Sequence, residues 1–366
     1  MKKEEFIAFI NEQKARGRSE EDILIIFCYM FRNQRIDRTQ FEAVVDALGY
    51  ELTAEFKKLD DEELRKKCLI ERGPKPSVAW CETTKKEKTM KTDFKKMIRF
   101  EDYPGTIGAA IGDVWGSYYE FQHGPKTPKD QVRIHRSSTF TDDTVLTAAV
   151  ADYLARKFKG ETVDPTKVVQ RWAQAFPNAG YGGRFYHCWL FESHPEPYNS
   201  FGNGSAMRIS AVPHFAKSID ECKALSKEVT EITHNHPEGI KGAEVIAIAT
   251  YMALHGSSKS EIEAYARQHY DLDLDYAKMM SYLGHGEEIC QVTVPQALWC
   301  FLHSDSFEDC LRLAISIRWD ADTLAAIACT IAEAYYKEIP ESIYQATVER
   351  LDPRIKQALE AVPNRK

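Results

Sequence analysis

Apolar positions along most of this chain recur at the three-to-four-residue spacing of a buried helix face. Val145/Leu146, Ala149/Val150, Tyr153/Leu154 and Phe158 make one such series, and Leu324, Ile327/Ala328, Ile331 and Ala334/Tyr335 make another. The two series predict helices beginning at Val145 and Leu324. Alternation at the period of a strand is not evident, and neither is an internal repeat. The pattern predicts an all-α body over residues 100–366.

The N-terminal part reads as a smaller helical extension. Ser19 stands three residues before Asp22, ahead of Ile23, Ile25, Ile26 and Tyr29. Thr39 precedes Phe41, Val44, Val45 and Leu48, with Gly49 as a stop signal. Residues 1–71 are therefore expected to form a module of three or four helices, able to bind a partner that its sequence does not specify. Residues 72–99 carry nine Lys/Arg against three acids, with Pro74 and Pro76 at their start. This basic linker is either a solvated connector or a contact strip for nucleic acid or an acidic partner.

Composition narrows the functional classes. With 366 residues, 43% hydrophobic and 28% charged, the chain has material for a large core. A net charge of −7 argues against binding nucleic acid or anionic membrane through whole-chain electrostatics. The start Met1-Lys2-Lys3-Glu4-Glu5 lacks a signal peptide's apolar run, and no stretch has the length of a membrane span. Nine scattered cysteines without a C-x-x-C pair suggest buried thiols in a reducing compartment. A cytoplasmic protein without membrane attachment is expected.

The chemistry concentrates in two acidic motifs, Thr141-Asp142-Asp143-Thr144 and Asp320-Ala321-Asp322-Thr323, each just ahead of an apolar helical series. Asp and Thr are ordinary helix-capping residues. A cap needs one side chain, however, and each motif supplies two carboxylates with hydroxyls beside them. Four clustered carboxylates repel unless cations neutralise them, and oxygen-only donors suit hard ions such as Mg²⁺ or Mn²⁺. Gly180-Tyr181-Gly182-Gly183 and Gly202-Asn203-Gly204-Ser205 are either ordinary turns or loops whose backbone N–H groups approach an anion such as a diphosphate. His234-Asn235-His236-Pro237 precedes another apolar helix, with Pro237 suited to its first turn. A histidine pair suggests zinc, but no third soft ligand stands at zinc-like spacing.

In their order, these motifs resemble the ADP-ribosylglycohydrolase family. Gly112-Asp113-Val114-Trp115-Gly116-Ser117-Tyr118-Tyr119-Glu120 matches its opening signature, followed by Thr141-Asp142-Asp143-Thr144. Gly180-Tyr181-Gly182, Gly202-Asn203-Gly204-Ser205-Ala206-Met207-Arg208, Thr233-His234 and Asp320-Ala321-Asp322-Thr323 follow in family order. The resemblance covers about residues 100–345. It implies an all-α fold around two Mg²⁺ or Mn²⁺ ions held by Thr141, Asp142, Asp143, Asp320, Asp322 and Thr323. It further implies catalytic roles among Glu120, Asp142 and Asp143. Gly180, Tyr181, Gly182, Gly202, Asn203, Gly204, Ser205, Met207 and His234 would bind the substrate.

The implied activity is metal-dependent hydrolysis at the anomeric carbon of the terminal ribose, releasing ADP-ribose from a modified protein, nucleic acid or small molecule. One departure stands out: where the family carries two glycines before the second acidic motif, this chain has Arg318 and Trp319. Two other readings stay open: a non-catalytic ADP-ribose-binding protein, and a hydrolase of a free ADP-ribosyl or nucleoside-like molecule.

Overall fold

The computed structural model describes residues 37–47, 96–122, 127–280, 288–317 and 319–364. The chain divides into two units, Met1–Thr89 and Met90–Lys366. In the first unit a single helix is described, α1 (Arg38–Ala47). Its start signal is Asp37 rather than Thr39. The Asp37 carboxylate accepts the Gln40 N–H at 2.8 Å, and the Gln40 side chain accepts the Asp37 N–H at 3.0 Å, a reciprocal cap. The Ser19–Tyr29 pattern, Gly49 and most of the basic segment lie outside the described residues.

The second unit is built around α2 (Gly108–Gly116) and α14 (Ala321–Tyr336). Every residue of α2 is buried, and α14 is buried from Ala321 to Ala334. Gly108, Gly112 and Gly116 repeat every four residues, so they share one face of α2. A Cβ at Gly112 would fall 2.3 Å from the Ala325 carbonyl carbon, and one at Gly116 would fall 2.4 Å from the Asp322 Cα. Only hydrogen fits there. The two helices run antiparallel with their backbones nearly touching, which brings Asp113 to the N-terminal turn of α14.

The far end of this pair is fixed by Glu333. Its carboxylate accepts from the Ile107 and Gly108 N–H groups at 2.8 Å each, from Tyr103 Oη at 2.8 Å and from Thr106 Oγ1 at 2.6 Å. The open N–H groups of α2 are thereby capped by an acid from α14.

Around this pair stand α3 (Asp142–Phe158), α4 (Pro165–Ala175), α5 (Gly183–Cys188), α6 (Gly204–Met207), α7 (Val212–Phe215) and α8 (Ile219–Thr230). Then come α9 (Pro237–Leu254), α10 (Lys259–Ala266), α11 (Tyr276–Met280), α12 (Cys290–Leu302) and α13 (Phe307–Ile317). Finally, α15 (Glu341–Val348) and α16 (Pro353–Glu360) close the chain. Helices α9, α12 and α13 pack on α14, while α3 packs on α2, α4 and α16. Pro237 occupies the first turn of α9 as expected, and His236 Nδ1 accepts the Glu238 N–H.

Three expectations need adjustment. Among its described residues the body contains one small sheet, β1 (Met97–Arg99) paired antiparallel with β2 (Glu338–Pro340), with Ile98 opposite Ile339. Three-residue strands are too short to show alternation. Residues 97–99, assigned to the basic linker, belong to this sheet, and Lys96 pairs with Glu341 at 2.8 Å. The helices carrying the acidic motifs begin at Asp142 and Ala321, three residues ahead of the apolar series, so the motifs occupy the first turns themselves. Among the described cysteines Cys188 is exposed and five others are buried, all as free thiols.

Candidate functional site

The acidic motifs meet where the first turns of α3 and α14 converge on the C-terminal half of α2. Thr141 and Asp320 are the N-cap residues, and neither side chain caps its own helix. Side-chain capping therefore does not account for Thr141 or Asp320. Two groups of three carboxylates form instead, in each of which one oxygen per residue lies within 4.8 Å of the others: Asp113, Asp143 and Asp322, and Glu120, Asp320 and Asp322. Asp322 belongs to both.

Hydroxyls and amides orient the cluster. Asp113, fully buried, accepts from Thr141 N at 2.9 Å, Thr141 Oγ1 at 2.7 Å and Thr144 N at 3.1 Å, and also from Thr144 Oγ1. It pins the first motif to α2. Thr323 Oγ1 donates to Asp143 Oδ2 at 3.0 Å, joining one motif to the other. Asn203 Nδ2 donates to Asp320 Oδ2 at 2.5 Å. Asp143 Oδ1 is buried with no hydrogen-bond partner.

Electrostatics points the same way. Burial, opposed by the threonine donors, lifts Asp113 to about 6; burial, opposed chiefly by the Asn203 amide, lifts Asp320 to about 6. Asp142, Asp143 and Asp322 are pushed well above the usual carboxylate range, first by burial and then by neighbouring carboxylates. Buried acids repelling one another, one of them with an orphaned oxygen, require either protons or cations. An all-oxygen donor set of this charge fits hard divalent ions.

Glu120 and Asp142 are half-buried, whereas Asp113, Asp143, Asp320 and Asp322 are buried. Glu120 lies in the turn after α2, and the next residue, Phe121, donates its N–H to the Trp319 carbonyl at 2.7 Å. The turn bearing Glu120 is thus tied to the loop bearing Asp320. Trp319 has φ +65° and Phe121 φ +48°, both left-handed. The conformation that glycine suits is therefore kept at 319 by a tryptophan. Its Nε1 donates to Glu288 at 2.8 Å and its ring meets Phe121 edge to face at 5.5 Å. Arg318 lies outside the described residues.

Both glycine loops border the acids. Gly180 has φ +101°, and the Asp142 N–H donates to the Ala179 carbonyl at 2.8 Å. A Cβ at Gly180 would lie 3.8 Å from Asp142 Oδ1, while Gly182 faces open space. Tyr181 stacks on Phe185 at 5.3 Å. In the second loop Asn203 touches the acidic cluster, and Gly202 and Gly204 adjoin the His234 ring. Ser205 and Met207 are buried beneath this loop. The Ser205 hydroxyl donates to the Gly239 carbonyl at 2.8 Å, so it supports the turn from below.

Sequence reasoning assigned no role to Asp113. It is the single charged residue of the segment Gly108–Gly116, and an unpaired acid in so apolar a helix was the available signal. Arg208 and Thr233 also stood in quoted motifs without a role, and both are fully buried beside His234.

The chain is 27% identical over 320 residues to the human ADP-ribosylhydrolase ARH3, covering 65% of this chain and 86% of that protein. It is 24% identical over 281 residues to the ADP-ribosyl-[dinitrogen reductase] glycohydrolase of Rhodospirillum rubrum, covering 70% and 93%. It is also 24% identical over 268 residues to the ADP-ribosylarginine hydrolase Tri1 of Pseudomonas putida, covering 63% and 69%. A solved ADP-ribosylglycohydrolase-related protein complex shares the fold at a TM-score of 0.53 and 22% identity, over 70% of this chain and 94% of that one. The family profile of ADP-ribosylglycohydrolase matches residues 103–365, a span that holds both acidic motifs, both glycine loops and His234. The chain belongs to the ADP-ribosylglycohydrolase family.

Proposed function

We propose that this chain is a divalent-cation-dependent hydrolase that releases ADP-ribose from an ADP-ribosylated acceptor by cleaving the bond at the anomeric carbon. The observation that carries this reading is Asp322, shared by two groups of three carboxylates within 4.8 Å. One shared carboxylate between two such groups suits a pair of Mg²⁺ or Mn²⁺ ions. Asp113, Asp143 and Asp322 would hold one and Glu120, Asp320 and Asp322 the other, with the hydroxyls of Thr141 and Thr323 beside them, and Asp142 stands at the edge. Bound cations supply Lewis acidity: they orient ribose hydroxyls and make a water easier to deprotonate.

The protein's own groups divide the remaining work. Cleavage develops oxocarbenium character at the anomeric carbon, and the departing nitrogen or oxygen gains a proton. A surrounding wall of carboxylates stabilises the developing positive charge. Glu120 and Asp142 are the cluster's half-buried acids, so they face incoming substrate, and one of them takes the proton of the attacking water. Asp143, buried and bonded by Thr323, acts as a ligand rather than as a base. The Gly180–Gly182 and Gly202–Gly204 turns, with His234 behind the latter, accommodate the diphosphate and adjoining ribose. The substrate is an ADP-ribosylated protein, nucleic acid or small molecule.

The test is release of free ADP-ribose from arginine-linked, serine-linked and nucleobase-linked substrates with Mg²⁺, Mn²⁺ or chelator. Release from at least one substrate, lost with chelator and in Asp142→Asn, supports the reading. ADP-ribose binding without release from any of them would favour a binding protein.

A further inference from the structure

His234 is about 5% exposed, and its two ring nitrogens have opposite surroundings. Nδ1 lies 2.7 Å from Thr233 Oγ1. Nε2 makes no hydrogen bond among the described residues and faces the second glycine loop. It lies 3.3 Å from where a Cβ on Gly204 would be and 3.7 Å from the same point on Gly202. Any side chain at Gly204 would crowd this nitrogen, and glycine leaves it open to the loop.

Behind Thr233 stands Arg208, which is completely buried. Its Nη2 donates to Thr233 Oγ1 at 2.7 Å and to the Val229 carbonyl at 3.2 Å. Its Nε and Nη1 have no hydrogen-bond partner, and no ion pair involves it among the described residues. A guanidinium can only donate. The Thr233 hydroxyl accepts from it and, having no other acceptor for its own proton among the described residues, gives that proton to the imidazole Nδ1 beside it. The neutral ring must then carry its proton on Nε2. Burial, and after it the Arg208 charge, hold the ring neutral by depressing its pKa well below the ordinary value.

We propose that Arg208, acting through the Thr233 hydroxyl, fixes His234 as the Nε2–H tautomer and aims that N–H into the Gly202–Gly204 turn, where it donates to a diphosphate oxygen of ADP-ribose. The proposal rests on the ADP-ribose reading for its ligand, but the tautomer does not. Arg208 and Thr233 are positioning residues. The arrangement presents a donor fixed in direction, backed by a buried positive charge that is in no ion pair among the described residues and so favours an anion in front of it.

The test uses the full chain labelled with ¹⁵N at histidine, with His234 assigned by the signal lost in His234→Gln. Long-range ¹H–¹⁵N spectra should show Nε2 protonated and Nδ1 as a hydrogen-bond acceptor. Thr233→Val should abolish that Nδ1 signature and weaken ADP-ribose binding by about tenfold or more. Thr233→Ser should keep both, with melting temperatures confirming that each variant is folded. A His234 ring protonated on Nδ1 in the wild type, or unchanged ADP-ribose affinity in folded Thr233→Val, would overturn the proposal. Should Thr233→Val not fold, the wild-type tautomer decides alone. Failure of the wild-type protein to bind ADP-ribose would instead sink the functional reading, and would be seen separately from the tautomer.

Discussion

Gly116 lies directly against Asp322: a Cβ on the glycine would stand 2.4 Å from the Asp322 Cα. One helix's lack of a side chain is what admits the other helix's acid to the centre. Gly116→Ala should push the first turn of α14 outward, costing about 1–3 kcal/mol of stability through overpacking. It should also weaken Mn²⁺ binding about tenfold or more, because the ligand shared by both groups moves. Thermal melts and Mn²⁺ titration check both, and unchanged metal affinity would separate this contact from the site.

Removing a carboxylate should separate stability from function. Asp322→Asn relieves repulsion with Asp143, Asp320, Glu120 and Asp113. The metal-free variant should melt at or above the temperature of the metal-free wild type, yet lose stabilisation by Mg²⁺ and lose activity. Differential scanning calorimetry with and without Mg²⁺ reads this directly. A variant still stabilised by Mg²⁺ to the wild-type extent would contradict the shared-ligand role.

The same acids predict a pH dependence. Their folded-state pKa values are raised, with Asp113 and Asp320 at about 6 against an ordinary 3.8. The native state therefore binds protons more tightly than the unfolded chain. Stability from these groups is full below about pH 4 and is lost as pH rises through about 6. Melting temperatures of chelator-treated protein should carry this falling contribution between pH 4 and 7, and Asp113→Asn should lessen the fall. Stabilisation by added Mg²⁺ should grow over the same range, since cations replace protons.

Trp319 adopts φ +65°, a conformation that costs a non-glycine residue about 1–2 kcal/mol. Trp319→Gly relieves that strain but loses the Glu288 hydrogen bond and the edge contact with Phe121. Net stability should change by no more than about 1 kcal/mol, since the edge contact is worth about as much as the strain. Metal affinity should hold, while the ratio of kcat/KM between acceptors shifts, because the bulky ring borders the cluster through Asp320. A tenfold loss of metal affinity would show that the tryptophan supports the ligands themselves.

The helical body and the two acidic motifs were legible because their signals are local: apolar spacing and paired acids before each apolar series. What stayed hidden depends on chain segments meeting from far apart. Asp113 and Asp322 are brought together by a glycine face whose purpose appears only once α14 lies upon it. The apolar series points to Leu324, three residues past the start of α14, because the polar Asp322 and Thr323 fill the first turn while being buried themselves. Ser205, read as a substrate contact from its loop, turns inward because the Gly239 carbonyl is its nearest acceptor. The strands Met97–Arg99 and Glu338–Pro340 each hold three residues, too few for a period to declare itself.

The most direct test of the central claim is the rate of ADP-ribose release measured against the number of Mn²⁺ ions bound per chain. The account predicts no release from the chelated protein, and release that rises as the paired carboxylate groups fill, with Asp322→Asn inactive at every metal concentration. Undiminished release from metal-free protein, or an Asp322→Asn variant as active as the wild type, would contradict it.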